Sequence, residues 1–306
     1  MNRPRLKPET VHLQNTIILH PDFEVAMDAL RMCHKTSGFD ARGTVIYGDP
    51  GVGKSTLLKA YKKQFPDEEF PDRTTKPIVY FKGRFGRAPT TKMVQQRVLS
   101  TMGIPYKGRD TEADLTDSLA QSFKDLDVQM VLLDEFQDIL KRSRDSEDII
   151  HFIKQMMDDT NVPWVLAGIE EVCDFMDRSD DQIQRRWHGA YSLDAFSITT
   201  DDEMEDFACY MELIEENLPF RCPSLLEKNM LLRIYLATKG VPGLISDLMT
   251  MLVEFHDGKS AVTLKDFTRA HRLARQGSRR MKGSAPFARD PFDLTPSELR
   301  RITGAM

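Results

Sequence analysis

Two hydrophobic patterns alternate through the first two thirds of the chain. Short, nearly unbroken apolar runs at 44–47, 78–81, 128–133 and 164–167 read as strands buried on both faces, and a weaker run at 191–196 reads as a fifth. Between them, apolar residues recur at helical spacing. Phe23, Ala26, Met27, Leu30 and Cys33 share one face of a helix opened by Pro21-Asp22. Further helices are predicted directly after the first run, over about 91–102, through Leu115, Leu119, Ser122 and Leu126, and around Ile149, Ile153 and Met156. Strands alternating with helices of this length predict an α/β fold, a parallel sheet flanked by helices.

From Thr200 the pattern is helical only. Thr200-Asp201-Asp202-Glu203 and Ser224-Leu225-Leu226-Glu227 both fit a capping box, in which a hydroxyl caps the first turn and an acid reaches back. Pro242 suits a first helical position ahead of Leu244, Leu248 and Met251, and Thr263 starts a last helix carrying Phe267, Ala270 and Leu273. Four helices fit inside 200–275 as an all-α lid. Beyond Gln276 the Gly, Ser and Pro content predicts a flexible tail, with one ordered turn capped by Thr295-Pro296-Ser297-Glu298 and running through Leu299 and Ile302. The predicted organisation is an N-terminal extension at 1–20, a core at 21–199, the lid at 200–275 and the tail at 276–306.

Composition narrows the class. Charged residues are 29% and hydrophobic ones 41% of 306, the balance of an ordinary globular protein rather than a disordered or membrane-embedded one. No apolar run is long enough to cross a bilayer, and the basic start lacks the apolar segment of a signal peptide, so a cytoplasmic protein without a membrane partner is expected. Cys33, Cys173, Cys209 and Cys222 lack metal-ligand spacing and read as buried free thiols in a reducing compartment. The net charge of −5 argues against a surface coated in positive charge, yet 269–282 carries Arg269, Arg272, Arg275, Arg279, Arg280 and Lys282 with no acid among them.

Two motifs carry the chemistry. Gly48-Asp49-Pro50-Gly51-Val52-Gly53-Lys54-Ser55, followed by Thr56, matches G-x-x-x-x-G-K-[ST], with a strand before it and a helix after it. Glycines let the backbone curl so that successive N–H groups face an anion at a helix N-terminus. Lys54 adds a point charge for the outer phosphates and Ser55 a hydroxyl for Mg²⁺. The second motif, Met130-Val131-Leu132-Leu133-Asp134-Glu135, is an apolar strand that delivers two acids to its carboxyl end. Asp134 suits the Mg²⁺ shell and Glu135 the polarisation of a water, which marks a hydrolase rather than a kinase. A strand ending in a solvated acidic turn is the plain alternative, and the upstream phosphate loop weighs against it.

The runs GDPGVGKST, LLDEFQDIL, WVLAGIEEV and QIQRRW, followed by the helical lid, resemble the AAA+ ATPases over about residues 15–275. The form DEFQDIL, the lid phrase 238–245 and the tail pair Pro291-Phe292 narrow the resemblance to the transposon-encoded target-selection ATPases of the TniB/TnsC type. The resemblance implies ATP and Mg²⁺ as cofactors and assembly as a ring or helical homo-oligomer on double-stranded DNA. A transposase and a target-selection factor would be its partners. It implies that Arg185 or Arg186 reaches a neighbouring subunit's nucleotide, against the alternative of an arginine pair packed over Trp187.

Two departures stand out. The fourth strand ends in Ala167-Gly168-Ile169 where relatives place a polar residue that senses the γ-phosphate, with no obvious substitute, and the lid lacks an arginine after its Gly-x-Pro turn. Both suit a slow switch better than a motor. DNA contact is expected from Lys82, Arg84, Arg87, Thr91 and Lys92, cations and a helix start that could track phosphates, with a solvated basic loop as the alternative. The basic 269–282 stretch is expected to serve subunit or partner contacts, and the adenine to approach along 17–21. A replication initiator or helicase loader, and a signalling or scaffold ATPase that binds no DNA, are the rival functions.

Overall fold

The computed structural model describes residues 6–16, 21–142, 145–257, 261–277 and 289–304. In chain order the helices are α1 (Pro8–Asn15), α2 (Pro21–His34), α3 (Lys54–Gln64), α4 (Thr91–Met102), α5 (Glu112–Asp125), α6 (Gln137–Arg142) and α7 (Ser146–Thr160). They continue with α8 (Glu171–Arg178), α9 (Asp181–Gln184), α10 (Asp201–Glu216), α11 (Lys228–Thr238), α12 (Pro242–Phe255), α13 (Leu264–Gly277) and α14 (Pro296–Thr303). The strands are β1 (Gly43–Tyr47), β2 (Glu68–Glu69), β3 (Thr74–Thr75), β4 (Ile78–Lys82), β5 (Met130–Asp134), β6 (Trp164–Gly168) and β7 (Trp187–Ser192). Two compact units result, one over Asp22–Leu193 and one joining the described part of 1–21 to that of 194–306.

The first unit is the expected α/β layer structure. Its sheet has the order β4-β5-β6-β1-β7 with every pairing parallel, while β2 and β3 form a separate antiparallel ribbon. Alternate strand residues face opposite ways, and both faces are covered. Val45, Val79, Phe81, Val131, Leu133 and Leu166 lie in one core with residues of α4, α5 and α7, whereas Ile46, Ile78, Met130, Leu132 and Val165 lie in the other with α2 and α3. Burial on both sides is why these strands are unbroken apolar runs. Parallel pairing also sets the carboxyl ends of β1, β4, β5 and β6 along one edge, with Lys82 opposite Asp134 and Tyr47 opposite Gly168. The fifth strand differs from expectation. It is Trp187–Ser192 rather than 191–196, and its half-exposed sequence, Trp-His-Gly-Ala-Tyr-Ser, gives no apolar run to find.

The second unit is all-helical. Thr200 caps α10 in the capping box expected for it, and Pro242 opens α12. The box at Ser224 does not form: α11 starts at Lys228, and the Ser224 hydroxyl and the Leu225 N–H both turn to the Glu215 carboxylate of α10. The segment expected as an N-terminal extension is partly a helix of this unit. α1 packs on α12, with Leu13 buried and the Thr10 hydroxyl donating to Glu254 Oε2 at 2.7 Å. The expected tail is also folded over 289–304, where Thr295 caps α14 as predicted.

Three contacts hold that returning segment. Phe292 stacks on Phe267 at 5.2 Å, Leu299 packs with Leu232 and Leu294, and the buried Arg233 guanidinium donates to Pro291 O at 2.8 Å. Arg279, Arg280 and Lys282 of the basic stretch lie outside the described residues. All four cysteines are free, but only Cys33 is buried, where desolvation pushes its thiol up to about 12; Cys209 is exposed. Among the described residues no single helix is long and apolar enough to cross a membrane.

Because Phe292 is 3% exposed and stacked, Phe292→Ala should lower the stability of the helical unit by about 3 to 5 kcal/mol in urea unfolding followed by far-ultraviolet circular dichroism. A loss under about 1 kcal/mol would mean that the segment is a surface strap and no part of this core.

Candidate nucleotide-binding site

β1 runs straight into the glycine loop. Gly48, Gly51 and Gly53 all have positive φ, at 145°, 102° and 112°. Gly48 is also confined: a Cβ there would stand 2.0 Å from Leu193 O, where the chain leaves β7. Val52 is buried beneath the loop, while Asp49, Pro50 and Thr56 face solvent. Gly53 is the N-cap of α3, so Lys54 and Ser55 begin the helix with their N–H groups toward the loop. The Lys54 ammonium reaches into the loop and donates to the carbonyls of Gly48 at 2.7 Å and Asp49 at 2.9 Å.

Asp134 closes the site from β5. Its side chain is 2% exposed, and Oδ2 accepts from the Ser55 hydroxyl at 2.7 Å and the Tyr80 hydroxyl at 2.8 Å, with the Lys82 ammonium 3.7 Å away. Burial, and then the bond to Asp134, pushes the Tyr80 phenol upward, so Tyr80 stays a donor throughout the physiological range. A divalent-cation fit can be judged from these groups. Ser55 and Asp134 offer hard oxygens side by side, and no cluster of three His, Cys, Asp or Glu able to hold a metal exists among the described residues. The hydroxyl and carboxylate are of the donor type that suits Mg²⁺.

Glu135 follows at φ 59°, a left-handed conformation that costs a non-glycine residue roughly 1–2 kcal/mol. The turn re-aims its side chain along the sheet edge. There Arg84 Nη2 pairs with Oε1 at 2.9 Å and Gln137 Nε2 donates to Oε2 at 2.6 Å. Arg84 also reaches Asp138 at 3.4 Å. Gly83 allows the approach, since it donates to Asp134 O at 2.7 Å and a Cβ on it would meet Glu135 O at 2.9 Å.

The residues expected to touch DNA do not form one basic face. Lys82 and Arg84 turn to the acids of the nucleotide site, and Lys92 donates to the carbonyls of Gly108 and Asp110. Thr91 is buried at the start of α4, whose cap is Thr90, and Arg87 is exposed with its Nε against Met93 Sδ.

Arg185 and Arg186 stand at the other end of the sheet, just before β7. A five-residue strand spans roughly 17 Å, so neither belongs to the phosphate loop of its own chain. They line an open cleft of about 710 Å³ together with Asp40, Arg42, Lys154 and Asp158. The two arginines differ. Arg186 is clamped by Asp40, at 2.6 Å, and by Asp158, whereas Arg185 is exposed and forms no ion pair among the described residues. The carboxyl of Asp40 is held below its usual range by bonds from Arg42 and then Arg186. Of the expected adenine approach, residues 17–20 lie outside the described residues.

Sequence reasoning overlooked Tyr80 and Gln137. Tyr80 carries a weak signal, being two positions before Lys82 on the same strand and thus placed at the same edge. Gln137 stands two residues after Glu135, and only the turn at Glu135 brings it back.

Over residues 11–195 the chain matches the family described as Bacterial TniB protein. No curated protein matches it significantly. Solved structures share its fold at low identity. The Aeropyrum pernix ORC1 protein in complex with DNA is 14% identical, with 88% of this chain and 70% of that one covered and a TM-score of 0.64. The Aeropyrum pernix ORC2 protein in ADPNP–ADP complexes is 14% identical, covering 87% and 72% at a TM-score of 0.62. Cdc6p from Pyrobaculum aerophilum is 13% identical, covering 97% and 90% at a TM-score of 0.59.

Replacing Tyr80 by Phe removes one donor from Asp134 without changing shape. The Mg²⁺ concentration for half-maximal nucleotide binding should rise about 10-fold in a fluorescent-ATP titration, the usual cost of losing a second partner of a metal ligand. An unchanged Mg²⁺ dependence would detach Tyr80 from the metal site.

Proposed function

Since this chain belongs to the TniB family, we propose that it is an ATP-dependent AAA+ regulator of DNA transposition that oligomerises on double-stranded target DNA and recruits or activates a transposase. ATP binds with Lys54 on its phosphates and with Ser55 and Asp134 around Mg²⁺, which draws charge from the transferred phosphoryl group. Glu135 takes a proton from water as the water oxygen bonds to the γ-phosphorus and the bond to the bridging oxygen of ADP breaks. Arg185, the unclamped arginine, reaches the nucleotide of the next subunit, and Arg186 holds the segment that presents it.

The observation that carries this reading is the pairing of Arg84 with Glu135. A cation of the segment expected to meet DNA restrains the acid expected to activate water. Phosphates of duplex DNA compete for Arg84, and their success frees Glu135. Hydrolysis is then slow alone and faster on DNA, as a switch requires. The same reading places the protein with DNA in the cytoplasm, where its four free cysteines stay reduced. A replication initiator or helicase loader is the second reading. It is favoured by likeness of fold to ORC and Cdc6 proteins, and the family match over 11–195 outweighs it.

Filter binding of labelled duplex across a salt series tests the reading. Binding should require ATP or a non-hydrolysable analogue and fall steeply with salt. No binding at low salt would contradict it. Arg84→Ala should raise DNA-free turnover severalfold and remove further stimulation by duplex, and turnover as slow as the unmodified protein's would sever the proposed link. Arg185→Ala should cut turnover by about 10³-fold with melting temperature unchanged, the scale of an arginine acting on transferred phosphate. Arg186→Ala should instead lower the melting temperature, because Asp40 and Asp158 lose their shared partner.

A further inference from the structure

The end of β6 carries no polar side chain, and the geometry around it supplies one from elsewhere. Gln137 comes from the first turn of α6, is 8% exposed, and lays its amide across the Cα of Gly168. A Cβ on residue 168 would stand 2.6 Å from Gln137 Oε1. Only glycine leaves that room. The amide's orientation follows from chemistry: the Glu135 carboxylate is an acceptor, so the group facing it at 2.6 Å is the NH₂. The carbonyl oxygen is thereby turned to the Gly168 side, where it has no hydrogen-bond partner among the described residues. A buried acceptor left unpaired is costly, and such atoms call for an explanation in the working state of a site.

We propose that Gln137 is a positioning residue for hydrolysis, fixing Glu135 through Nε2 from a seat that only glycine at position 168 leaves open. The proposal rests on the reading of Glu135 as the acid that polarises water. Glu135 is held at both oxygens by partners of different kinds. Arg84, on Oε1, is 61% exposed and open to competition from solvent anions. Gln137, on Oε2, is buried and stays when Arg84 leaves. A water beside Glu135 donates one proton to the carboxylate, and the buried bond from Gln137 Nε2 keeps that carboxylate from turning away. Gly168 and Gln137 thus act as a pair, the glycine leaving the space that the amide fills.

Gln137→Glu keeps the shape but removes the donor to Glu135; Gly168→Ala disturbs the amide from the other side. With Mg²⁺ and duplex DNA present, both should lower kcat at least about 10-fold, with KM and affinity for a non-hydrolysable ATP analogue unchanged within about twofold. Affinity for ADP–aluminium fluoride, which mimics the transferring phosphoryl group, should fall by the same factor as kcat. A purely structural role would instead weaken both ligands alike and lower the melting temperature. Gln137→Glu turning over at the unmodified rate, or losing both ligands equally, overturns the inference. An unmodified protein that does not hydrolyse ATP, or whose hydrolysis survives Glu135→Gln, overturns the underlying functional reading and this inference with it.

Discussion

One buried carboxylate oxygen, Asp134 Oδ2, is the point on which the site depends. It accepts hydrogen bonds from Ser55 at the start of α3 and from Tyr80 on β4, and it sits within 3.7 Å of Lys82 at the end of that strand. A carboxylate that is 2% exposed tolerates its charge only with such partners. The requirement therefore locks the start of α3, the end of β5 and the neighbouring strand β4 into one arrangement. Parallel pairing makes this possible, because it brings the carboxyl ends of β1, β4, β5 and β6 to one edge before any side chain is placed.

Glu135 is set differently from Asp134. Its backbone is held left-handed, and its carboxylate is shared between an exposed arginine and a buried glutamine. Strain of that kind persists where the surroundings fix it, and here Phe136 and Ile139 are fully buried just beyond the turn. The acid is thus aimed by packing, steadied by one partner and restrained by another. In the mechanism proposed above, accuracy and control fall to two separate bonds to one group.

Much of this was legible in the residues. The glycine run, the apolar run into Asp134-Glu135 and the doubly buried strands marked the fold and the two segments that meet at the Ser55–Asp134 bond, because each depends on local pattern. What the sequence concealed depends on tertiary return. Gln137 looks like any polar residue at a helix start until the turn at Glu135 folds it onto Gly168. Lys82 and Arg84 look like surface cations until Gly83 lets their segment touch Asp134 and Glu135. Half-exposed β7 lacked the apolar run that marked the other strands. The segment 289–304 looked like a tail because its anchors, Phe267 and Arg233, lie far away in sequence.

Arg185 and Arg186 stand at the opposite end of the sheet from the phosphate loop, so in the assembly proposed above the arginine end of one subunit meets the nucleotide end of the next. Head-to-tail contacts of that type build rings or filaments. The central claim, that nucleotide drives assembly around duplex DNA, is tested most directly by electron microscopy of the protein with a non-hydrolysable ATP analogue and a long duplex. The account predicts closed or helical oligomers encircling DNA, with Arg185 of one subunit at the phosphate loop of the next, that vanish without nucleotide. Monomers under those conditions, or the same assemblies without nucleotide, would contradict it.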